Sequence, residues 1–252
     1  MEKQAIKAAS NPVDDDNRQW AIDLKPGELA ENILLVGDPA RVYTLANMLD
    51  QKQFQRQNRE FLTIKGTYKN IPVSILSTGI GQSSTEIAIL ESMQIVDNPS
   101  FIRVGTCGGI QHFVRPGDFV ISTGSVRMEE VSTLYVSPGY PAIANFQTIN
   151  SLVESSKSSK QTIHVGLTAS TSSFYAGQDR NAAGIEAINP NTIDDLQKMK
   201  VLNVEMESSI IFTLASLKQC RAGCICVVIG NRDDDNFIDY GKLQQYEEEA
   251  AT

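Results

Sequence analysis

A chain of 252 residues, 41% of them hydrophobic, carries enough apolar mass for one sizeable core and suits a single α/β domain. Its 22 Lys and Arg residues are outweighed by 30 Asp and Glu, a formal charge of −8 that leaves no broad basic face for nucleic acid. No apolar run follows the first lysines, so the start of the chain reads as neither a secretory signal nor a membrane span, and a cytoplasmic protein without nucleic-acid or membrane partners is expected.

Residues 1–22 are polar, include Asp14, Asp15 and Asp16, and read as a flexible N-terminal arm on a single domain spanning 1–252. Short, partly β-branched runs then predict strands at 33–36, 61–65, 72–77, 101–104, 119–123, 163–168, 201–204 and 223–229. Helical periodicity lies between them, at 40–49, 85–96, 146–156, 192–198 and 206–217. Strand and helix in alternation predict a three-layer α/β/α arrangement, its central sheet largely parallel or mixed and covered on both faces.

In sheets of this kind small molecules bind beyond the carboxyl ends of the strands. Four predicted exits carry unusual chemistry: Gly37 to Arg41, Thr78 to Gly81, Arg103 with Gly105 and Thr106, and Asn231 with Arg232. Glycine lets backbone N–H groups approach an oxyanion, and a helix start adds its positive end. Arg41, Arg103 and the Thr106 hydroxyl would complete an anion pocket through charge-assisted hydrogen bonds. It is not a Walker loop, since no Gly-Lys-Ser/Thr follows, and TGIGQS does not complete a dinucleotide fingerprint.

Two further segments point to a ligand. In FYAGQDR, residues 174–180, Phe174 can stack on a flat ring, Gln178 offers an amide donor and acceptor, and Arg180 offers donors only. A ring edge presenting acceptor, N–H, acceptor fits that set, and uracil has such an edge; a plain polar connector is the competing reading. Glu205, Met206 and Glu207 open a predicted helix, where acids suit the dipole as an N-terminal pair. A carboxylate there could equally accept from two adjacent sugar hydroxyls beside a soft methionine wall. Cys224 and Cys226 belong to a buried strand; no spacing makes Cys220, Cys224 and Cys226 a zinc site, and Asp233 to Asp235 reads as a solvated loop.

Taken in order, GDPAR (37–41), NREF (58–61), STGIG (77–81), RVGTCGG (103–109), PGDFVI (116–121), HVGLTASTSSFYAGQDR (164–180), NVEMES (203–208) and RAGCICVVIGNR (221–232) resemble the uridine phosphorylases of the nucleoside phosphorylase family. The likeness runs from about residue 24 to residue 232. It implies the nucleoside phosphorylase fold, with a mixed, partly barrel-like central sheet. It also implies phosphorolysis of uridine or deoxyuridine to uracil and the sugar 1-phosphate in pyrimidine salvage, with inorganic phosphate as co-substrate and no cofactor.

Carried over by that resemblance, Gly37, Arg41, Arg103 and Thr106 are phosphate ligands, and Arg59 reaches the neighbouring subunit's phosphate site. Thr106, Met206 and Glu207 contact the ribose, Phe174, Gln178 and Arg180 the base, and Arg103, Arg180 and Glu207 form the catalytic set. Glu60, Ile80 and Ser84 match positions that bind a monovalent cation, potassium, at the dimer interface of some members. The implied assembly is a homodimer with shared active sites, built into a hexamer. His112 and His164 fall where this scheme needs neither acid nor base.

The chain departs from the family at two places. No His lies near Gln19, Trp20 and Ala21, where bacterial members usually place one for the ribose 5′-hydroxyl, and Trp20 stands there instead. Purine-cleaving relatives carry an Asp at the position of Arg232, which favours a pyrimidine here. The alternatives are a purine or broad-specificity phosphorylase, and a nucleoside-binding homologue with weak or no turnover.

Overall fold

The computed structural model describes residue 6 and residues 8–252, which divide into two compact units, Met1–Phe101 and Ile102–Thr252. The first unit contains β1 (Asn32–Val36), α1 (Pro39–Ala46), β2 (Gln51–Asn58), β3 (Phe61–Tyr68), β4 (Ile71–Ser77) and α2 (Gln82–Ile95). Its strands lie in the order β2, β3, β4, β1: β1 runs parallel to β4, and the other neighbours are antiparallel. Lys69 and Asn70, both at positive φ, form the tight turn between β3 and β4, as the right-handed twist of a hairpin requires.

β2 has no counterpart in the sequence reading. QKQFQRQN lacks the apolar alternation of a half-buried strand because it is an edge, paired only to β3 and mostly exposed. α1 begins at Pro39 rather than Ala40, with Asp38 as cap: its carboxylate accepts from Ala40 N at 2.8 Å.

The arm expected over residues 1–22 is fastened from Val13 onward, and its residues 1–5 and 7 lie outside the described residues. Val13, Ala21, Ile22 and Leu24 are buried. The Glu91 carboxylate accepts from Ala21 N and Ile22 N (2.8 Å to the latter), and the Arg18 guanidinium grips Glu28 with two bonds of 2.8 and 2.9 Å. The polar composition misleads because these side chains serve as backbone caps and forks while a few apolar residues supply the burial.

The second unit holds β5 (Ser100–Gly109), β6 (Phe119–Met128), β7 (Ala142–Ile143), α3 (Phe146–Ser156), β8 (Ile163–Thr171), α4 (Thr192–Lys198), β9 (Asn203–Glu205), α5 (Ser208–Lys218), β10 (Arg221–Asn231) and α6 (Leu243–Ala251). Here β5, β10, β6, β8 and β9 close on themselves, since β5 pairs with both β9 and β10. β6 is parallel to β8 and β8 to β9, while β10–β6 and β5–β9 are antiparallel, so the ring is a small mixed barrel.

Strand alternation sorts the side chains of this barrel. Ala169 of β8 and Val204 of β9 face outward, onto Ile193 and Leu196 of α4 and Val201. The opposite phase therefore faces in, and it is polar: Thr168 and Ser170, Asn203 and Glu205, Arg103 and Cys107, Cys224 and Cys226 are all buried. Ser122 Oγ and Thr168 Oγ1 lie 2.6 Å apart, and Thr168 donates to Asn203 at 2.8 Å. A polar interior of this kind is stable only when its groups find partners, which commits the strands to one register.

The Arg18–Glu28 fork makes a pH-dependent contribution. Partial burial acts to raise the Glu28 carboxyl, but hydrogen bonds from Arg18 and Lys25 N, with the Arg18 and Arg56 charges, hold it below its ordinary range. A depressed carboxyl stabilises the fold above its unfolded-state value, and that stability is lost as pH falls through the lower folded value. Acid titration of Tm should show wild type losing stability more steeply below the ordinary glutamate range than Glu28→Gln, whose Tm starts lower.

Candidate active site

In the first unit, Gly37 and Arg41 leave β1 through the turn capped by Asp38, and the chain after β4 is tied back by Thr78 N donating to Val36 O at 2.8 Å. A Cβ on Gly37 would sit 3.4 Å from Gly79 O, so the two glycine exits lie against each other. Gly79 and Gly81 both adopt positive φ, at 72° and 89°, which only glycine adopts without strain. Ser84 Oγ donates to Glu60 Oε1 at 3.0 Å and also to Thr78 O, while a Cβ on Gly79 would collide with Ser84 at 2.9 Å. Glu60 and Ser84 of the expected cation set are thus in direct contact, with the exposed Ile80 following Gly79.

Arg59 occupies the β2–β3 turn with φ 53°. Its guanidinium lies over the Trp20 ring, 4.3 Å from the centroid. Asn58 Nδ2 donates to Ala21 O at 2.6 Å and to Trp20 O, so the indole is held by its backbone beside the arginine.

The second unit brings Arg103, Glu205 and Glu207 together. Arg103 Nε donates to Glu205 Oε2 at 2.9 Å and Nη2 meets Glu207 Oε2 at 2.6 Å, with all three side chains at most 5% exposed. Burial alone would lower the guanidinium's pKa, but the Glu207 and Glu205 carboxylates outweigh it and raise Arg103 well above its ordinary value. Glu205 also accepts from Glu207 N at 2.9 Å, Ser208 N, Ser208 Oγ at 2.8 Å and Ser170 Oγ. These bonds end β9 and start α5 at Ser208, not at Met206 as the periodicity suggests: Glu205 caps the helix from outside it. Thr106 lies further along β5 and Met206 between the two glutamates, both partly buried.

Beyond β8 the chain turns through residues 174–180. Gln178 is buried, its amide donating to Thr171 Oγ1 at 3.2 Å and accepting from Arg180 Nη1. Arg180 donates to Phe174 O at 2.8 Å and stacks on the Phe174 ring at 4.1 Å. Burial, and next the Arg232 charge, lower Arg180 from its ordinary value to about 10. The expected base-binding trio is therefore one contiguous cluster, whose cation is poorly compensated by its surroundings.

Glu205, expected as one of a helix N-terminal pair, and Arg232, expected at a strand exit as a mark of pyrimidine use, also join these clusters although neither is among the expected ligands. The sequence signal for Glu205 is its place in NVEMES, two positions before Glu207 at a helix start. Arg232 is partly buried, and its Nη2 lies 3.5 Å from Asp179 O. His164 Nε2 meets Asp118 Oδ2 at 2.8 Å, part of neither cluster described above. Cys107 and Cys224 remain thiols: burial leads for the first and the Cys226 hydrogen bond for the second, both raising the pKa.

The Phosphorylase superfamily profile matches residues 32–252, and the chain belongs to that family. It is 40% identical to the uridine phosphorylase of Thermococcus kodakarensis over 94% of this chain and 86% of that protein. Against the Escherichia coli uridine phosphorylase the identity is 36%, over 91% and 90%. A guanosine phosphorylase of Halorubrum lacusprofundi is 35% identical over 82% and 81%. Among solved structures, one from a study of two uridine phosphorylases of the oomycete Phytophthora capsici superposes with a TM-score of 0.86. At 24% identity, covering 96% of this chain and 94% of that one, it shows the fold: α/β, with a mixed, partly barrel-like sheet, as the nucleoside phosphorylase likeness implied.

Gly105 is what lets Arg103 lie flat against β5. A Cβ there would fall 2.7 Å from Arg103 Cζ and 3.0 Å from Cys226 Sγ, and the guanidinium, held by two carboxylates, cannot swing aside cheaply. Gly105→Ala should cut kcat/KM about 100-fold, the order expected for a misplacement of ~1 Å. Steady-state kinetics and a melting curve check it, with Tm expected to fall far less than activity.

Proposed function

We propose that this pentosyltransferase is a uridine phosphorylase, cleaving uridine and deoxyuridine with inorganic phosphate in pyrimidine salvage. The observation that carries the reading is the Phe174–Gln178–Arg180 cluster. Gln178 can accept from the uracil N–H and donate to a ring carbonyl, Arg180 can donate to the other, and Phe174 supplies an aromatic face. The uridine phosphorylases among the relatives support the same substrate.

The chemistry needs no nucleophilic side chain. Breaking the N-glycosidic bond builds cationic character on the sugar and negative charge on the leaving base, so catalysis must place the phosphate and stabilise both. We assign phosphate to Gly37, Arg41, Arg103 and Thr106, with Arg59 supplied by a second copy. Its place in an exposed turn supports that role. Thr106, Met206 and Glu207 take the ribose. The base's developing charge falls to Arg180, whose cation is destabilised by burial and by Arg232 and so gains from an arriving anion.

The whole chain then acts as one catalytic domain in a homodimer, and in a hexamer built from dimers. Glu60, Ser84 and Ile80 take a potassium ion, supported by the Ser84–Glu60 contact and by the Glu60 carboxylate as a hard oxygen donor. The absence of any disulfide among the described cysteines suits a reducing compartment, the cytoplasm.

Uracil release from uridine should be strictly phosphate-dependent and faster than base release from inosine or guanosine. Equal release without phosphate would indicate a hydrolase, and faster purine cleavage a purine phosphorylase. Gln178→Ala and Arg180→Ala should lower kcat/KM for uridine by about 100-fold, as loss of a preorganised donor does, and leave phosphate affinity unchanged.

Activity that needs the Arg180 cation is intact below about 10 and lost as pH rises through it. Arg232→Gln removes the repulsion, so the alkaline limb of the kcat profile should move to higher pH. Substrate ionisation is common to both enzymes, so a limb displaced in Arg232→Gln reports Arg180, and a limb displaced to lower pH sinks the assignment.

A further inference from the structure

We infer that Glu205 is a positioning residue for this reaction: it orients Arg103 toward phosphate and keeps it oriented when Glu207 engages the ribose. The inference rests on the phosphorolytic reading of the site. The Arg103–Glu207 ion pair poses the problem that Glu205 solves. It joins, at 2.6 Å in a buried setting, the group assigned to one substrate and the group assigned to the other. In low dielectric such a pair is strong, and Glu207 cannot serve ribose hydroxyls fully while it is Arg103's principal counter-ion.

Glu205 supplies a second counter-ion that is itself immovable. Its carboxylate accepts from Arg103 Nε, Glu207 N, Ser208 N, Ser208 Oγ and Ser170 Oγ, donors from two strands and the start of α5. An acceptor fixed on Nε sets the rotation of the planar guanidinium and leaves the Nη1–Nη2 edge as the one presented to a ligand. The bonds to Glu207 N and Ser208 N also fix the turn from which the Glu207 side chain departs. Loss of Glu205 would leave Glu207 as the sole carboxylate on Arg103, so both substrates should suffer.

Binding of inorganic phosphate, measured by calorimetry, tests this without reference to nucleoside turnover. Glu205→Gln should weaken phosphate about 10-fold or more, as outer-shell partners do for the groups they orient, and raise KM for uridine as well. Glu205→Asp keeps the charge for α5 but withdraws the carboxylate from Arg103 by one methylene. It should show the same direction of change, which covers the case in which the glutamine variant does not fold. Ser208→Ala removes a Glu205 donor that does not touch Arg103, and should lower Tm with phosphate affinity unchanged.

In an Arg103→Ala background, Glu205→Asp should weaken phosphate no further. Unaltered phosphate affinity in both Glu205 variants, or additive losses in the double variant, would overturn the inference and reduce Glu205 to a helix cap. Wild-type protein that binds phosphate but does not release uracil would instead refute the uridine phosphorylase reading and leave the Glu205 result standing. Wild-type protein that binds no phosphate would refute both.

Discussion

A charged cluster buried at the end of a small barrel is the constraint around which the second unit is arranged. Bringing an arginine and two glutamates out of water costs several kcal/mol per ion even after relaxation, so Arg103, Glu205 and Glu207 are tenable only as a set. The barrel meets that demand by turning a polar phase of its strands inward. Ser170 and Ser208 hydroxyls and two backbone N–H groups complete the carboxylate's hydrogen bonds, and Gly105 clears the floor under the guanidinium. An apolar interior would be easier to fold, but it could not hold a fixed cation in the same place.

The base cluster uses a contrasting device. Arg103 is over-supplied with negative partners, whereas Arg180 has an aromatic face, an amide oxygen and a carbonyl, and feels Arg232 besides. One arginine is thereby a cation held in place by its carboxylates, and the other is one whose charge is destabilised and gains from an arriving anion. Such opposite environments for two like groups are how a single fold divides chemical roles between them.

Much of this was legible in the sequence wherever chemistry and periodicity are local. FYAGQDR places Phe174, Gln178 and Arg180 within seven residues, close enough to meet whatever the rest of the chain does. Helices α3 and α4 show their period directly, with the bounds the sequence predicts. The edge strand β2 was invisible because it buries too little to carry a pattern. The segment after Val13 looked mobile because its fastening depends on Glu91, seventy positions away from Ala21.

By itself the sequence determined the family, the alternation of strand and helix, and the residue types able to meet a phosphate, a ribose and a flat base, since these are properties of short segments. Only the tertiary structure decided that Glu205, rather than Glu207, is the anchor of NVEMES, that Gly105 is cut to fit a guanidinium, and that Arg103 and Arg180 differ in charge environment. The reason is physical: burial and ion pairing are sums over neighbours brought from distant positions, here β5 against β9 and residue 180 against residue 232, and no local pattern contains them.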